Sequence, residues 1–582
     1  MSFIPSEYQE RIFDFIKNGS GNAVINAKAG SGKTSTIVES IHLIPQKEKV
    51  LFVAFNKAIE QELSKRLQSY SNAMIRTYHS LGYSILRENF SGYNISVNEH
   101  KYTSYLHNNI CNLSSICNEL NKSDFRTYKS NIRSLLDYAR YNLAQSENEL
   151  LRLCDKYGLT LVGDECKVVL SLLAWGCNHI SEIDYTDMIW ICNELNLETK
   201  RYKFDFIFID EAQDSSIMQQ NLIKKCYCRG TRFIAIGDKL QCINAFAGAD
   251  NEAFSKFQKE PNTITLDLPI TYRCPKKIVD YVNSVCEVDI QPAPNAIDGA
   301  IRFNVNPYEP KDNDMVLCRN SAHLVKLYMK YNRVNKKSYL KGRNIGDMLK
   351  TLITQTNKDM ISSDMLYDGV VPRLYEHLFL TINKEIDITG LEYEEIVNSS
   401  KIMDLIDAIK AIEVLSEGLK YTTQLLCKIN TIFTDDNKEG ICLSTIHKSK
   451  GLESDNVFIL CDSLLPSKYA RKQWEIIAEE NLRYVAITRA KKTLNYISEK
   501  DFPANLFGEN GDILTELEVQ RHKMNRAINS NIQPFINERI SKEEQISNDA
   551  QAILNKNTNK VKQSTSKRKK NVGGKKFSKL LK

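Results

Sequence analysis

Two short strings hold residues whose types and spacing could do chemistry. Residues 27–34 read AKAGSGKT, directly after the apolar run Ala23, Val24, Ile25, and a second apolar run, FIFI, closes on DEAQD beginning at Asp210. Gly30 and Gly32 permit backbone angles that turn successive amide N–H groups toward one cluster of oxygens. Lys33 and Thr34, which open the following helix, then suit the β and γ phosphates and a metal ion respectively. The whole loop (Ala27, Lys28, Ala29, Gly30, Ser31, Gly32, Lys33, Thr34) reads as a triphosphate cradle, one residue short of the strict pattern, which has glycine at position 27. Asp210 suits Mg2+ beside Thr34, and Glu211 suits the attacking water. These are the two halves of a site that hydrolyses a nucleotide.

Such a site needs strands whose carboxyl ends present it. VLFVAF at 50, FIFID at 206, RFIAIGD at 232, MVLC at 315, ICLSTIH at 441 and NVFIL at 456 are short, almost wholly apolar runs separated by helical patterns. Runs of that kind are buried on both faces, which predicts an α/β fold with parallel sheets. They fall into two groups, so two sheets are expected: a first α/β domain from residues 1–92 and 184–268, and a second from 269–350 and 438–500. Two stretches without such runs, 93–183 and 351–437, carry Leu, Asn, Ser and charge at helical spacing and are predicted to be helical insertions. Residues 501–582 form a C-terminal extension.

Composition bounds the partners. A chain of 582 residues with 42% apolar content is too long for a single core. No apolar run reaches the ~20 residues that cross a bilayer, and the start MSFIPSEYQE lacks the basic and apolar regions of a signal peptide, so no membrane association and a cytoplasmic location are expected. The frequent Ile, Asn and Lys suit an A+T-rich genome, bacterial or viral. Fifteen cysteines, an odd number with no CxxC, fit reduced thiols; neither Cys226 with Cys228 nor Cys111 with Cys117 has a matching second pair, and no metal centre is expected of them. Residues 556–582 hold eleven Lys or Arg and no acid, more than the formal net charge of +7 for the whole chain. The body is therefore not basic, and the tail is a polycation suited to a solubilising role, to DNA or to a protein partner.

Five further strings complete the pattern: TYHSLGY at 77, GDKLQCINAFAGA at 237, LPITYRC at 268, STIHKSKGLE at 444 and ENLRYVAITRAKK at 480. With AKAGSGKT and DEAQD, in this order, the chain resembles the UvrD/Rep group of superfamily 1 DNA helicases over about residues 1–500. The resemblance implies two RecA-like domains with helical insertions, ATP with Mg2+ in the cleft between them, and a motor on DNA. It assigns Gln9 to the adenine, Gln241 to sensing the γ phosphate, Tyr272 to the base, Glu453 to the ribose, and Arg273 and Arg489 to the transferring phosphoryl group. It also implies DNA contacts at Phe55, Asn56, Lys57, Thr77, His79, Phe246, Thr445 and His447, with Phe246 the foremost stacking candidate.

Departures from the group are specific. Asn244 and Ala247 stand where relatives have tyrosine and arginine, Ser35 stands where many have arginine, and AFNKA is one residue shorter than the common TFTNKAA. In these strings the chain looks closest to the branch containing the F-box DNA helicase, without an F-box segment. SKGLE and QCINAFAGA resemble the 3′-to-5′ group. The implied function is an ATP-dependent 3′-to-5′ helicase that acts on single-stranded and duplex DNA in replication, repair or recombination. The alternative is a single-strand translocase that strips proteins with little unwinding.

Overall fold

The computed structural model describes residues 4–243, 253–357, 370–436 and 439–505. All six strand-like runs are strands of two parallel sheets. The first sheet consists of β1 (Asn22–Ala27), β2 (Val50–Ala54), β3 (Ala73–Thr77), β4 (Phe204–Ile209), β5 (Tyr227–Gly237) and β6 (Thr263–Leu268). Its spatial order is β3-β2-β4-β5-β1-β6, with every neighbour parallel. The second sheet consists of β7 (Ala300–Val305), β8 (Met315–Cys318), β9 (Ser338–Lys341), β10 (Phe433–Thr434), β11 (Ile441–Thr445), β12 (Ser454–Leu460) and β13 (Ala490–Ile497). These lie in the order β7-β13-β12-β8-β11-β9-β10, again all parallel.

Neither sheet can leave a face open, because central parallel strands such as β2 and β8 are buried at every residue. The helical stretches supply the cover. Helices Lys101–Leu113, Lys122–Asn142, Glu147–Tyr157 and Glu165–Asn178 lie between β3 and β4, and Tyr128, Ile132 and Leu135 share one apolar core with Val24, Leu51 and Ile207 of the first sheet. Ser96–Val97 pairs in parallel with Glu182–Ile183 where the chain leaves and rejoins that sheet. Helices Val370–Thr389, Ser400–Ser416 and Thr422–Ile432 cover the second sheet in the same way: Leu374, Ile409 and Leu425 pack with Val316, Leu443 and Phe458. The helix Arg343–Thr356 runs across position 350, and the chain returns to the sheet at β10.

Inside the first helical stretch, Lys101 and Asp187 form a fully buried ion pair at 2.6 Å, and Arg140 reaches Asp184 at 2.6 Å. Asp187 also accepts from the Tyr102 hydroxyl at 2.8 Å. Charges taken this far from water are tolerated only because each finds a partner of opposite sign. The network fixes the stretch against helix Asp187–Glu194, which leads into β4.

Candidate functional site

β1 ends at Ala27, and the chain then turns into helix Lys33–His42 through Gly30 and Gly32, at φ +74° and +79°. Ala27 itself is an ordinary buried strand residue paired with Leu268 and is not at positive φ. Position 27 therefore does not need glycine here. Gly30 does: a Cβ there would stand 2.5 Å from the Arg273 Cβ and 2.7 Å from the Thr271 hydroxyl, and its carbonyl accepts from the Tyr272 N–H at 2.8 Å. The segment that joins the two halves of the chain thus rests directly on the loop. Ser31 is buried with its Oγ unpartnered inside the loop, as a polar group kept for a ligand oxygen can be.

DEAQD follows β4, and Glu211 takes a left-handed conformation (φ +48°) that few non-glycine residues adopt. The turn brings its carboxylate to 2.9 Å from the Lys33 ammonium and lets the Gln213 amide donate to its other oxygen at 2.5 Å. Burial pushes the neighbouring Asp210 carboxyl up, and the Glu211 charge adds to this, to about 7. Burial also works to raise Glu211, but Lys33 and Lys450 outweigh it and hold that carboxyl at about 2. Lys33 itself is raised, since Glu211, Asp238 and Asp210 together overcome its desolvation. Hard oxygen donors on Thr34 and Asp210, both lining the cleft beside the loop, fit Mg2+, and a divalent cation there would relieve the crowding of charge that raises Asp210.

The second half of the chain closes on this loop from the opposite side. One cleft of about 1260 Å3 is lined by Lys33, Thr34, Glu211, Gln241, Arg273 and Arg489 among others. Arg489 is 1% exposed and spends its donors within its own half, on the Val485 carbonyl at 2.9 Å, the Leu452 carbonyl at 3.2 Å and the Thr488 hydroxyl at 3.1 Å. Burial, followed by the Arg273 charge, lowers it to about 10. Arg273 is held by Glu453 at 2.7 Å, and Glu453 also meets Lys491 at 3.6 Å. Both residues line the cleft, as does Tyr272, which is half exposed. Gln241 is buried, with its amide donating to Asp238 at 2.8 Å.

Three residues that the motif assignments did not single out stitch the seam. Lys450 pairs with Asp214 and donates to the Gln241 carbonyl at 2.7 Å. The buried Tyr484 hydroxyl donates to Asp238 at 2.9 Å and accepts from the Ala29 N–H of the loop at 3.0 Å. Asn481 donates to the Cys242 carbonyl at 2.8 Å. Lys450 and Tyr484 belong to STIHKSKGLE and ENLRYVAITRAKK, so their strings were visible in the sequence, but nothing in the spacing named their partners.

Gln9 is buried and lies beside the loop, donating to Thr36 at 2.9 Å. It also closes the capping box with Ser6 that starts helix Glu7–Asn18. Lys28 joins the loop to β6 through the Leu268 carbonyl at 3.0 Å.

The residues expected to touch DNA divide into two groups. Phe55, Asn56, Thr445 and His447 line the same cleft. Phe55 is 41% exposed instead of buried in the core at the end of its strand. Asn56 caps the helix that Lys57 opens, and Lys57 pairs with Glu60 at 3.0 Å. His447 is held neutral, lowered to about 3 by burial and then by Arg319 and Lys448. Thr77 and His79 are not among the residues that line the cleft: Thr77, paired with Ala54 at the end of β3, caps helix Tyr78–Asn89, and exposed His79 stands edge-on to Tyr185 at 6.4 Å. Phe246 lies outside the described residues, as do Asn244, Ala247 and the basic tail.

Comparison with known proteins agrees with this architecture. The model of the UvrD/REP helicase N-terminal domain matches residues 9–262, and that of the UvrD-like helicase C-terminal domain matches residues 165–501. The chain belongs to the UvrD-like helicase family. Among similar proteins, the ATP-dependent DNA helicase Rep of Buchnera aphidicola (subsp. Acyrthosiphon pisum, strain APS) is 23% identical over 603 residues, covering 81% of this chain and 92% of that protein. The ATP-dependent DNA helicase PcrA of Bacillus subtilis (strain 168) is 23% identical over 613 residues, covering 83% and 82%. PcrA of Staphylococcus aureus (strain Mu50) is likewise 23% identical over 602 residues, covering 82% and 81%. As a UvrD-like helicase the protein is a nucleotide hydrolase, and its two sheets with their helical cover are the two RecA-like domains of that fold. No helix among the described residues is long and apolar enough to cross a membrane.

Proposed function

We propose that the protein is an ATP-dependent DNA helicase that moves 3′ to 5′ along single-stranded DNA and separates duplex ahead of it. The observation that carries this reading is the single cleft in which Lys33 and Glu211 of the first half meet Arg273 and Arg489 of the second. In this reading the loop N–H groups and Lys33 take the β and γ phosphates, while Gln9 and Tyr272 bracket the base and Glu453 the ribose. Mg2+ held by Thr34 and Asp210 supplies charge neutralisation at the phosphate oxygens. Phosphate competes with Glu211 for Lys33, which frees the carboxylate to orient water. Gln241, already bonded to Asp238 and Lys450, links the γ-phosphate position to the seam.

Arg273 and Arg489 neutralise the transferring group only when the halves approach, so hydrolysis and seam closure go together. Phe55, Asn56, Thr445 and His447 then grip the strand differently before and after hydrolysis. A neutral His447 suits hydrogen bonding more than phosphate pairing, and exposed Phe55 suits base stacking. The polarity rests on the resemblance of SKGLE and QCINAFAGA to the 3′-to-5′ group.

The test is direct. Single-stranded DNA should stimulate hydrolysis far more than RNA of the same length, and separation should occur on 3′-overhang substrates and not on 5′ ones. Hydrolysis indifferent to either oligonucleotide would end the proposal. Stimulation without strand separation on either overhang would instead favour a translocase that displaces bound protein.

A further inference from the structure

Outside the nucleotide cleft, the second sheet gathers two thiols and an imidazole at one point. Cys318 ends β8, Cys461 directly follows β12, and those strands are neighbours with Cys318 paired to Leu460. His323 lies in the first turn of helix Ser321–Arg333. The two sulfurs and a ring nitrogen lie within 4.8 Å of one another, and the three residues are 0%, 0% and 1% exposed. From this arrangement we infer a buried structural site for a thiophilic divalent cation, Zn2+, held by Cys318, His323 and Cys461.

Two independent observations point to a ligand and not to packing alone. The first concerns the histidine. Its Nε2 lies 2.8 Å from the Ala504 carbonyl, which can only accept, so Nε2 carries the proton and Nδ1 keeps its lone pair. That Nδ1 is buried without a hydrogen-bond partner. An imidazole that donates from one nitrogen to a main-chain carbonyl and offers the other bare is the arrangement in which histidine binds metals.

The second observation concerns the backbone. Cys461 is a non-glycine residue at φ +56°, in the left-handed region. A cysteine held there carries a conformational cost that a surrounding structure must sustain, and such residues gather at functional positions. The turn sets this thiol beside Cys318 at the end of the neighbouring strand.

The charge balance selects the ion. Two thiols and one neutral imidazole bind Zn2+ with release of two protons, giving a complex with no net charge. A monovalent ion in the same ligands would leave a buried negative charge, which a site without exposure does not favour. The Phe502 carbonyl accepts from the Cys461 thiol at 3.8 Å. Zn2+ in this site would pin the segment that leaves β13, through Phe502 and Ala504, onto the carboxyl ends of β8 and β12. The spacing of 318, 323 and 461 in the chain gives no sign of this, because two of the ligands come from adjacent strands and one from the helix between.

The test uses the full chain, reduced and stripped with a chelator, and titrated with Zn2+ against a chromophoric competitor. One tight equivalent is expected, with a rise in the thermal midpoint. Co2+ in its place should give thiolate-to-metal charge-transfer absorption. Cys318→Ser with Cys461→Ser should lose the tight equivalent and the rise in midpoint while retaining oligonucleotide-stimulated hydrolysis. The inference is overturned if the folded double variant binds Zn2+ as the parent does, if the parent binds none tightly, or if Cys318 and Cys461 are joined as a disulfide. Should the double variant not fold, the parent's Co2+ spectrum decides, and one without thiolate absorption rejects the site.

Discussion

The Lys33 ammonium lies 2.9 Å from the Glu211 carboxylate, so the cation meant for phosphate is already paired with the acid meant for water. Binding must break this pair, and the two residues should therefore fail differently. Lys33→Ala should abolish measurable ATP affinity and lower turnover by about a thousandfold or more. Glu211→Gln should keep affinity within about threefold while turnover falls by roughly 10²–10⁴. Equilibrium binding of a fluorescent ATP analogue and steady-state hydrolysis separate the two.

Asp210 gives a pH signature. Its carboxyl rises from 3.8 to about 7 on folding, so its favourable contribution is fully present below about pH 4 and is lost as pH rises through 7. The depressed Glu211, at about 2, acts in the opposite direction and only below pH 4.5. Asp210→Asn should therefore melt several °C above the parent at pH 8 and by a smaller margin at pH 5, measured without nucleotide. It should be inactive at both. Equal melting of the two proteins at pH 8 would remove the basis for this reading of the carboxylate pair.

Arg489 spends its donors on carbonyl and hydroxyl oxygens of its own half, so its removal leaves no acid uncompensated there. Arg489→Ala should lower DNA-stimulated turnover by about 10³ and change affinity for a labelled single strand by less than about twofold. Parallel loss of both, read by hydrolysis and fluorescence anisotropy, points to misfolding instead.

Tyr484 bridges Asp238 and the Ala29 N–H through a single hydroxyl. Tyr484→Phe leaves both groups buried and short of a partner, at a cost of about 1–3 kcal/mol. The expected result is a lower thermal midpoint together with at least a ~threefold smaller stimulation of hydrolysis by DNA. A variant that melts early but keeps full stimulation would make the contact structural only.

The tail carries eleven cations over 27 residues and no acid. Truncation before Lys556 should leave hydrolysis unchanged and flatten the dependence of DNA affinity on salt. An unchanged salt slope would assign the tail to a protein partner.

Much of this molecule was legible in one dimension because its chemistry is local. The phosphate loop, the acidic pair and the central strands are contiguous strings, and residues buried on both faces of a parallel sheet must be apolar without interruption. Edge strands were missed for the converse reason: β6 and β7 each expose part of their length, so TITLDL and AIRFNV lack an unbroken apolar run. β13 was hidden by its opening AKK, which reads as part of a charged motif. Local spacing also could not say that the helical stretches share cores with the sheets they interrupt.

What only the tertiary structure decided is which side chains meet. Glu211 reaches Lys33, Lys450 reaches Asp214, Tyr484 reaches Ala29, and Cys461 comes beside Cys318. These partners are from about 140 to more than 450 positions apart in the chain. Their meeting depends on strand order, register and the seating of one half on the other, which follow from packing summed over the whole fold and from no single string.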